Sequence, residues 1–80
     1  KKTLPAGSYV ASLMVGGQDR ILKKIPEEAG EVVIASKNVN QDEIIYEMAD
    51  LWFHCLVALA FHDIRPDEVF AELGKRRKPE

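Results

Sequence analysis

The chain has 80 residues, with 11 Lys or Arg against 13 Asp or Glu, a formal net charge of −2 and one cysteine. That length makes one small domain, and the near-balanced charge argues against nucleic acid as the main partner. Cys55 alone excludes an internal disulfide and reads as a small hydrophobe in a reducing compartment.

Lys1 to Gly7 has no hydrophobic period and holds Pro5 and Gly7, so it reads as the end of a linker or the exit from an upstream element. Val10, Leu13 and Met14 predict a short helix from Ser8 to Val15, with Ser8 as its N-cap and Gly16-Gly17 as its end. The spacing of Ile21, Leu22, Ile25, Ala29, Val32, Val33 and Ser36 predicts a second helix from Asp19 to Lys37. Pro26 falls inside it, where it removes one backbone hydrogen bond and crowds the preceding turn. Either the helix kinks there, or it breaks and restarts with Pro26 in the first position. The period keeps its phase through Pro26, which favours a kinked single helix.

Asn38 to Asn40 forms a turn, and Asn40 followed by Glu43 resembles a capping box. A third helix is expected from Gln41 to about Phe61, then a link from His62 to Arg65. Pro66 opens a fourth helix, with Asp67 and Glu68 in its first turn, where the helix dipole favours acids. Val69, Phe70 and Leu73 give that helix an apolar face, and Gly74 with the basic run Lys75 to Lys78 is expected to end it. No segment alternates like a strand.

From Leu51 to Phe61 the third helix is apolar nearly all round, so it must be covered on several faces. That apolar run, broken by His54, is too short to span a bilayer, and no signal-peptide pattern is visible. A soluble, cytoplasmic protein is therefore expected. The other short helices cannot supply the cover. A second subunit would, and so would a helix upstream of this chain. The expected fold is all-α: short helices plus two long antiparallel helices, in a bundle completed by a second subunit.

Two acid pairs stand out. Glu28 and Glu31 lie in EEAGE, and Glu47 and Asp50 lie in YEMAD. The i, i+3 spacing puts each pair on one helix face. Packed side by side, the two helices would bring four carboxylates together, and they would repel strongly when partly desolvated. A divalent cation relieves that repulsion, and oxygen-only donors point to Mg²⁺, or Mn²⁺, rather than Zn²⁺. The plainer alternative is a set of solvated acids paired with lysines, since Lys23 and Lys24 stand four residues before Glu27 and Glu28. Lys23 and Lys24 suit phosphate oxygens as point charges, with Arg20 and Lys37 as weaker candidates of the same kind. His54 reads as a hydrogen-bonded core or supporting histidine rather than a ligand, because Mg²⁺ rarely takes imidazole. Trp52, Phe53 and Phe61 read as core, His62 as a turn residue, and Tyr9 and Tyr46 as weak candidates for contacts to a ring.

SYVASL, the G-x-D-R-I-L-K-K of Gly17 to Lys24, EEAGEVVIASKN and YEMADLWFHCLV together resemble phosphoribosyl-ATP pyrophosphohydrolase. That family belongs to the all-α NTP pyrophosphohydrolases, with the MazG-like proteins and dimeric dUTPases. The likeness runs from about Ser8 to Leu73. Its ExxE and ExxD signatures fall on Glu28, Glu31, Glu47 and Asp50. Two departures exist: the family usually has Gly where this chain has Pro26, and it usually has another helix before SYVASL.

The resemblance implies hydrolysis of phosphoribosyl-ATP between its α and β phosphates, the second step of histidine biosynthesis. It implies Mg²⁺ held by Glu28, Glu31, Glu47 and Asp50. Glu27 or one of those four would take a proton from water, and Lys23 and Lys24 would steady the pyrophosphate side. Three other readings stay open. A house-cleaning NTP pyrophosphohydrolase would use the same acids. A di-iron bundle wants Glu-x-x-His on two helices, which the spacing from Glu47 and Asp50 to His54 does not provide. A non-catalytic helical interaction module would show no response to Mg²⁺.

Overall fold

The computed structural model describes residues 6–77, the first three of them by backbone alone. Every regular element among the described residues is a helix: α1 (Ala6–Gly16), α2 (Gln18–Asn38), α3 (Gln41–Phe61) and α4 (Pro66–Lys75). The expected all-α class is observed. Of the expected entry segment, residues 1–5 lie outside the described part, as does Lys78 of the basic run. Helix α1 starts at Ala6, so Ser8 sits inside its first turn and is not the N-cap.

Gly17 alone separates α1 from α2. Its φ of 92° and ψ of 175° lie in a region essentially reserved for glycine. This lets the chain redirect without a loop, and the Gly17 N–H donates to the Met14 carbonyl at 3.2 Å. Helix α2 continues through Pro26 as one element. Pro26 has no N–H, so the Leu22 carbonyl has no donor four residues on. Both residues are exposed, which lets water take its place.

Val39 and Asn40 join α2 to α3. The left-handed position falls to Val39, at φ 56° and ψ 33°, and its N–H donates to the Ser36 carbonyl at 3.2 Å. A β-branched residue is strained there. Replacing Val39 with Gly should stabilise the fold by about 1 kcal/mol and raise the melting temperature by about 5 °C. An unchanged or lower thermal midpoint would contradict that strain. Asn40 then caps α3, its Oδ1 accepting from the Glu43 N–H at 3.1 Å. This is the Asn40 half of the expected capping box.

Helix α3 ends at Phe61, and Asp63 adopts a left-handed φ of 60°, which Asp tolerates. Helix α4 opens on Pro66 as expected, with the Arg65 N–H donating to the Glu68 carboxylate at 3.0 Å. Gly74 lies within the helix instead of ending it, and Lys75 is the last helical residue.

The core is small. Leu13, Ile21 and Val57 are fully covered, with Tyr9, Val10, Met14, Phe53 and Ala58 packed around them. It ties α1, the start of α2 and the second half of α3 together. Outside it, Val33, Ile34, Ile45, Trp52, Leu56, Phe70 and Leu73 are exposed, and α4 has no buried residue. Trp52, expected in the core, is 66% exposed, because among the described residues nothing packs over it on the far side of α3. The whole of α3, unlike its apolar run alone, is long and apolar enough to cross a membrane by length and composition. Its acidic side, however, turns toward α2.

Candidate metal centre

Two helices supply the acids. Glu28 stands in the middle of α2, near the centre of its packing against α3. It is 8% exposed, the one buried acid among the described residues. Asp50 on α3 is half-buried, with a carboxylate oxygen within 4.8 Å of one of Glu28's. Burial pushes the Glu28 carboxyl above its ordinary range, and Asp50 pushes it further. Lys24 opposes both, its ammonium 3.4 Å from Glu28 Oε2.

Glu47 is half-exposed one turn before Asp50. Partial desolvation raises its carboxyl first, and Glu31, Asp50, Glu28 and Glu43 add repulsion. Glu31 on α2 is exposed but lies within electrostatic reach of Glu47. The helices therefore place Glu31, Glu47, Glu28 and Asp50 within electrostatic reach of one another, with oxygens of Glu28 and Asp50 within 4.8 Å. Proximity across α2 and α3 raises both shifted groups, which is the state a divalent cation relieves.

The raised values fix a sign. A carboxyl that is easier to protonate in the folded chain contributes most to stability at low pH. For Glu28 and Glu47 that contribution is full below the ordinary carboxylate value near 4.5 and is lost as pH rises through the raised values. In EDTA, their share of stability should fall over that window, and added Mg²⁺ should restore it at neutral pH. Melting curves across the range would show this. A chain whose midpoint at neutral pH ignores Mg²⁺ would contradict it.

The basic candidates divide. Lys24 bridges Glu27 at 3.6 Å and Glu28 at 3.4 Å. Desolvation would lower its ammonium pKa, but Tyr9, Glu28 and Glu27 outweigh it and the net shift is upward. Lys24 thus lies at the edge of the acidic cluster, and Glu27 is turned toward it. Lys23 is exposed beside it. Arg20 lies against Gly16 at the junction of α1 and α2, two turns or roughly 12 Å of helix rise before Glu28. Lys37 closes the last turn of α2, where its charge suits the helix dipole. It stands roughly 20 Å along the helix from Lys24, so the fold does not gather it with the others.

One oxygen each from Glu28 and Asp50 and one ring nitrogen of His54 lie within 4.8 Å of one another. His54 is nevertheless committed elsewhere: Nδ1 is 2.8 Å from the Asp50 carbonyl oxygen, and Nε2 is 2.9 Å from the Tyr9 hydroxyl. Sequence reasoning gave Tyr9 only a weak place as a ring contact. No local pattern ties it to a histidine 45 residues away. His62, read as a turn residue, caps α3 and bonds Gln18 at 3.1 Å. Beside the acids, Ile44, Ile45, Met48, Ala49 and Trp52 line a shallow apolar groove of about 310 Å³.

The profile of the family described as phosphoribosyl-ATP pyrophosphohydrolase matches residues 1–77. The chain is similar to proteins named phosphoribosyl-ATP pyrophosphatase from several bacteria. It is 51% identical to that of Nitrosomonas eutropha over 76 residues, covering 95% of this chain and 65% of the relative. It is 49% identical to that of Neisseria meningitidis over 77 residues, covering 96% of this chain and 72% of the relative. Against that of Methylococcus capsulatus it is 57% identical over 76 residues, covering 95% and 72%. The chain thus spans about two thirds of the length of these curated relatives.

Proposed function

Because the chain belongs to the phosphoribosyl-ATP pyrophosphohydrolase family, we propose that it hydrolyses phosphoribosyl-ATP, in a Mg²⁺-dependent reaction, to phosphoribosyl-AMP and pyrophosphate. This would be the second step of histidine biosynthesis. The observation that supports it most is the approach of Glu28 and Asp50 oxygens within 4.8 Å across α2 and α3, with Glu47 and Glu31 within electrostatic reach. Hard oxygen donors that are hard to ionise together suit Mg²⁺, with Mn²⁺ as a substitute. Glu28, Glu31, Glu47 and Asp50 would hold it. Bound there, the cation supplies neutralisation of phosphate charge and activation of water.

The protein's own groups do the rest. A carboxylate, Glu27 or one of the four, accepts the proton as the water oxygen bonds to phosphorus and the bridging P–O bond breaks. Pyrophosphate leaves with the electron pair. Lys24, already beside Glu27 and Glu28, and Lys23 next to it meet the departing charge, while Arg20 and Lys37 lie further out. Positioning and charge stabilisation carry such a reaction, and no covalent intermediate is needed.

The finer architecture belongs to the same proposal. Helices α2 and α3 run antiparallel, a reading supported by the neighbouring pairs Gln18–His62 and Glu28–Asp50, one number rising as the other falls. A second copy covers Ile45, Trp52 and Leu56 in a homodimer located in the cytoplasm.

Pyrophosphate release from phosphoribosyl-ATP, followed with and without Mg²⁺, tests the function. Release only with Mg²⁺ supports it. Faster turnover of simple nucleoside triphosphates would transfer the assignment to a nucleotide house-cleaning enzyme.

A further inference from the structure

His54 lies one turn after Asp50 on α3 and is 4% exposed. Its Nδ1 faces the Asp50 carbonyl oxygen at 2.8 Å. A carbonyl can only accept, so Nδ1 carries the proton. In the neutral ring, Nε2 then holds the lone pair, and the Tyr9 hydroxyl donates to it across 2.9 Å. The same Nδ1 proton also lies near the Asp50 carboxylate, with Nδ1 to Oδ1 at 3.7 Å.

Aromatic contacts hold the imidazole in this setting. Phe53 meets it edge-on at 5.2 Å between centroids, Tyr9 meets it edge-on at 5.8 Å, and Tyr9 and Phe53 stack at 5.9 Å. Rotating the ring would break both hydrogen bonds and these contacts together.

We infer that Tyr9 and His54 are positioning residues: they fix Asp50 toward Glu28 and keep the imidazole out of the ligand set. Without this arrangement, Glu28, Asp50 and His54 stand close enough to form a mixed nitrogen and oxygen set, a type that favours Zn²⁺. With Nδ1 protonated, the centre presents oxygen alone. Helix α1 thereby reaches the acids through His54. The inference rests on the metal centre proposed above and deepens it.

The test is Mn²⁺ binding to the full chain, read from the loss of the free-ion paramagnetic resonance signal, with a melting curve in EDTA for each variant. Tyr9→Phe keeps the stack on Phe53 and removes only the hydroxyl. It should weaken Mn²⁺ binding about 10-fold, the lower end of what losing a supporting hydrogen bond costs a metal site. His54→Leu should weaken it at least as much. His54→Asn should keep most of it, since its side-chain amide can replace Nδ1 as the donor to Asp50. Unchanged binding in Tyr9→Phe, or Leu binding as tightly as Asn, overturns the positioning role and reduces His54 to core filling. If the unaltered chain binds no Mn²⁺, the metal centre itself fails, and the positioning role with it.

Discussion

Replacing Glu47 with Gln should lower Mg²⁺-dependent pyrophosphate release by about 100-fold or more, while the chain remains folded. The amide keeps the size and one oxygen of the carboxylate but loses its charge, and loss of even a supporting group at a metal site costs 10–100-fold. Glu47 is half-exposed and has no protein hydrogen bond among those described, so the fold does not depend on it. Its carboxyl is pushed upward by partial desolvation and then by Glu31, Asp50, Glu28 and Glu43. Removing that charge relieves repulsion. In EDTA at neutral pH, the Glu47→Gln midpoint should therefore equal or exceed that of the unaltered chain. Added Mg²⁺ should reverse the order, because only the unaltered chain gains its full binding energy. Retained turnover would remove Glu47 from the reaction. Melting curves that do not cross would separate a folding defect from a lost ligand.

Trp52→Glu should convert the proposed dimer to monomer. Trp52 is 66% exposed at the end of the apolar groove with Ile45 and Met48. Large aromatic anchors at interfaces typically contribute 2 kcal/mol or more. In a two-fold interface each substitution acts twice, so about 4 kcal/mol is lost, roughly a thousand-fold in the dissociation constant. Within one chain, Trp52 is not part of the core of Leu13, Ile21 and Val57, so the secondary structure should persist. Sedimentation velocity on both proteins decides the matter. An unaltered chain that sediments as a monomer would remove the second copy from the proposal.

Much of this molecule could be read from local pattern. The i, i+3 spacing of Glu28 and Glu31, and of Glu47 and Asp50, put each pair on one face. Only the short Val39–Asn40 link was then needed to set Glu28 near Asp50. Asn40 and Pro66 marked helix starts because their chemistry is local. Distant or cooperative features were less legible. Nothing near Tyr9 names His54 as its partner. Trp52 looked like core because hydrophobicity reports a demand for cover, not what meets it. Ser8 looked like a cap because Ser suits that position, but the backbone had already become helical at Ala6. Gly74 looked like a stop, yet a glycine in a helix only weakens it unless the chain turns there. The left-handed residue after α2 is Val39, flanked by two asparagines better suited to it, so propensity alone would have misplaced it.

The two-residue Val39–Asn40 connection has a kinetic consequence. It lets α2 and α3 meet with little loop to close, and contacts made across short connections form early in folding. Like charges then crowd together before the rest of the chain can compensate. Refolding should be faster in millimolar Mg²⁺ than in EDTA, so a cation would act first as a folding aid and only later in turnover.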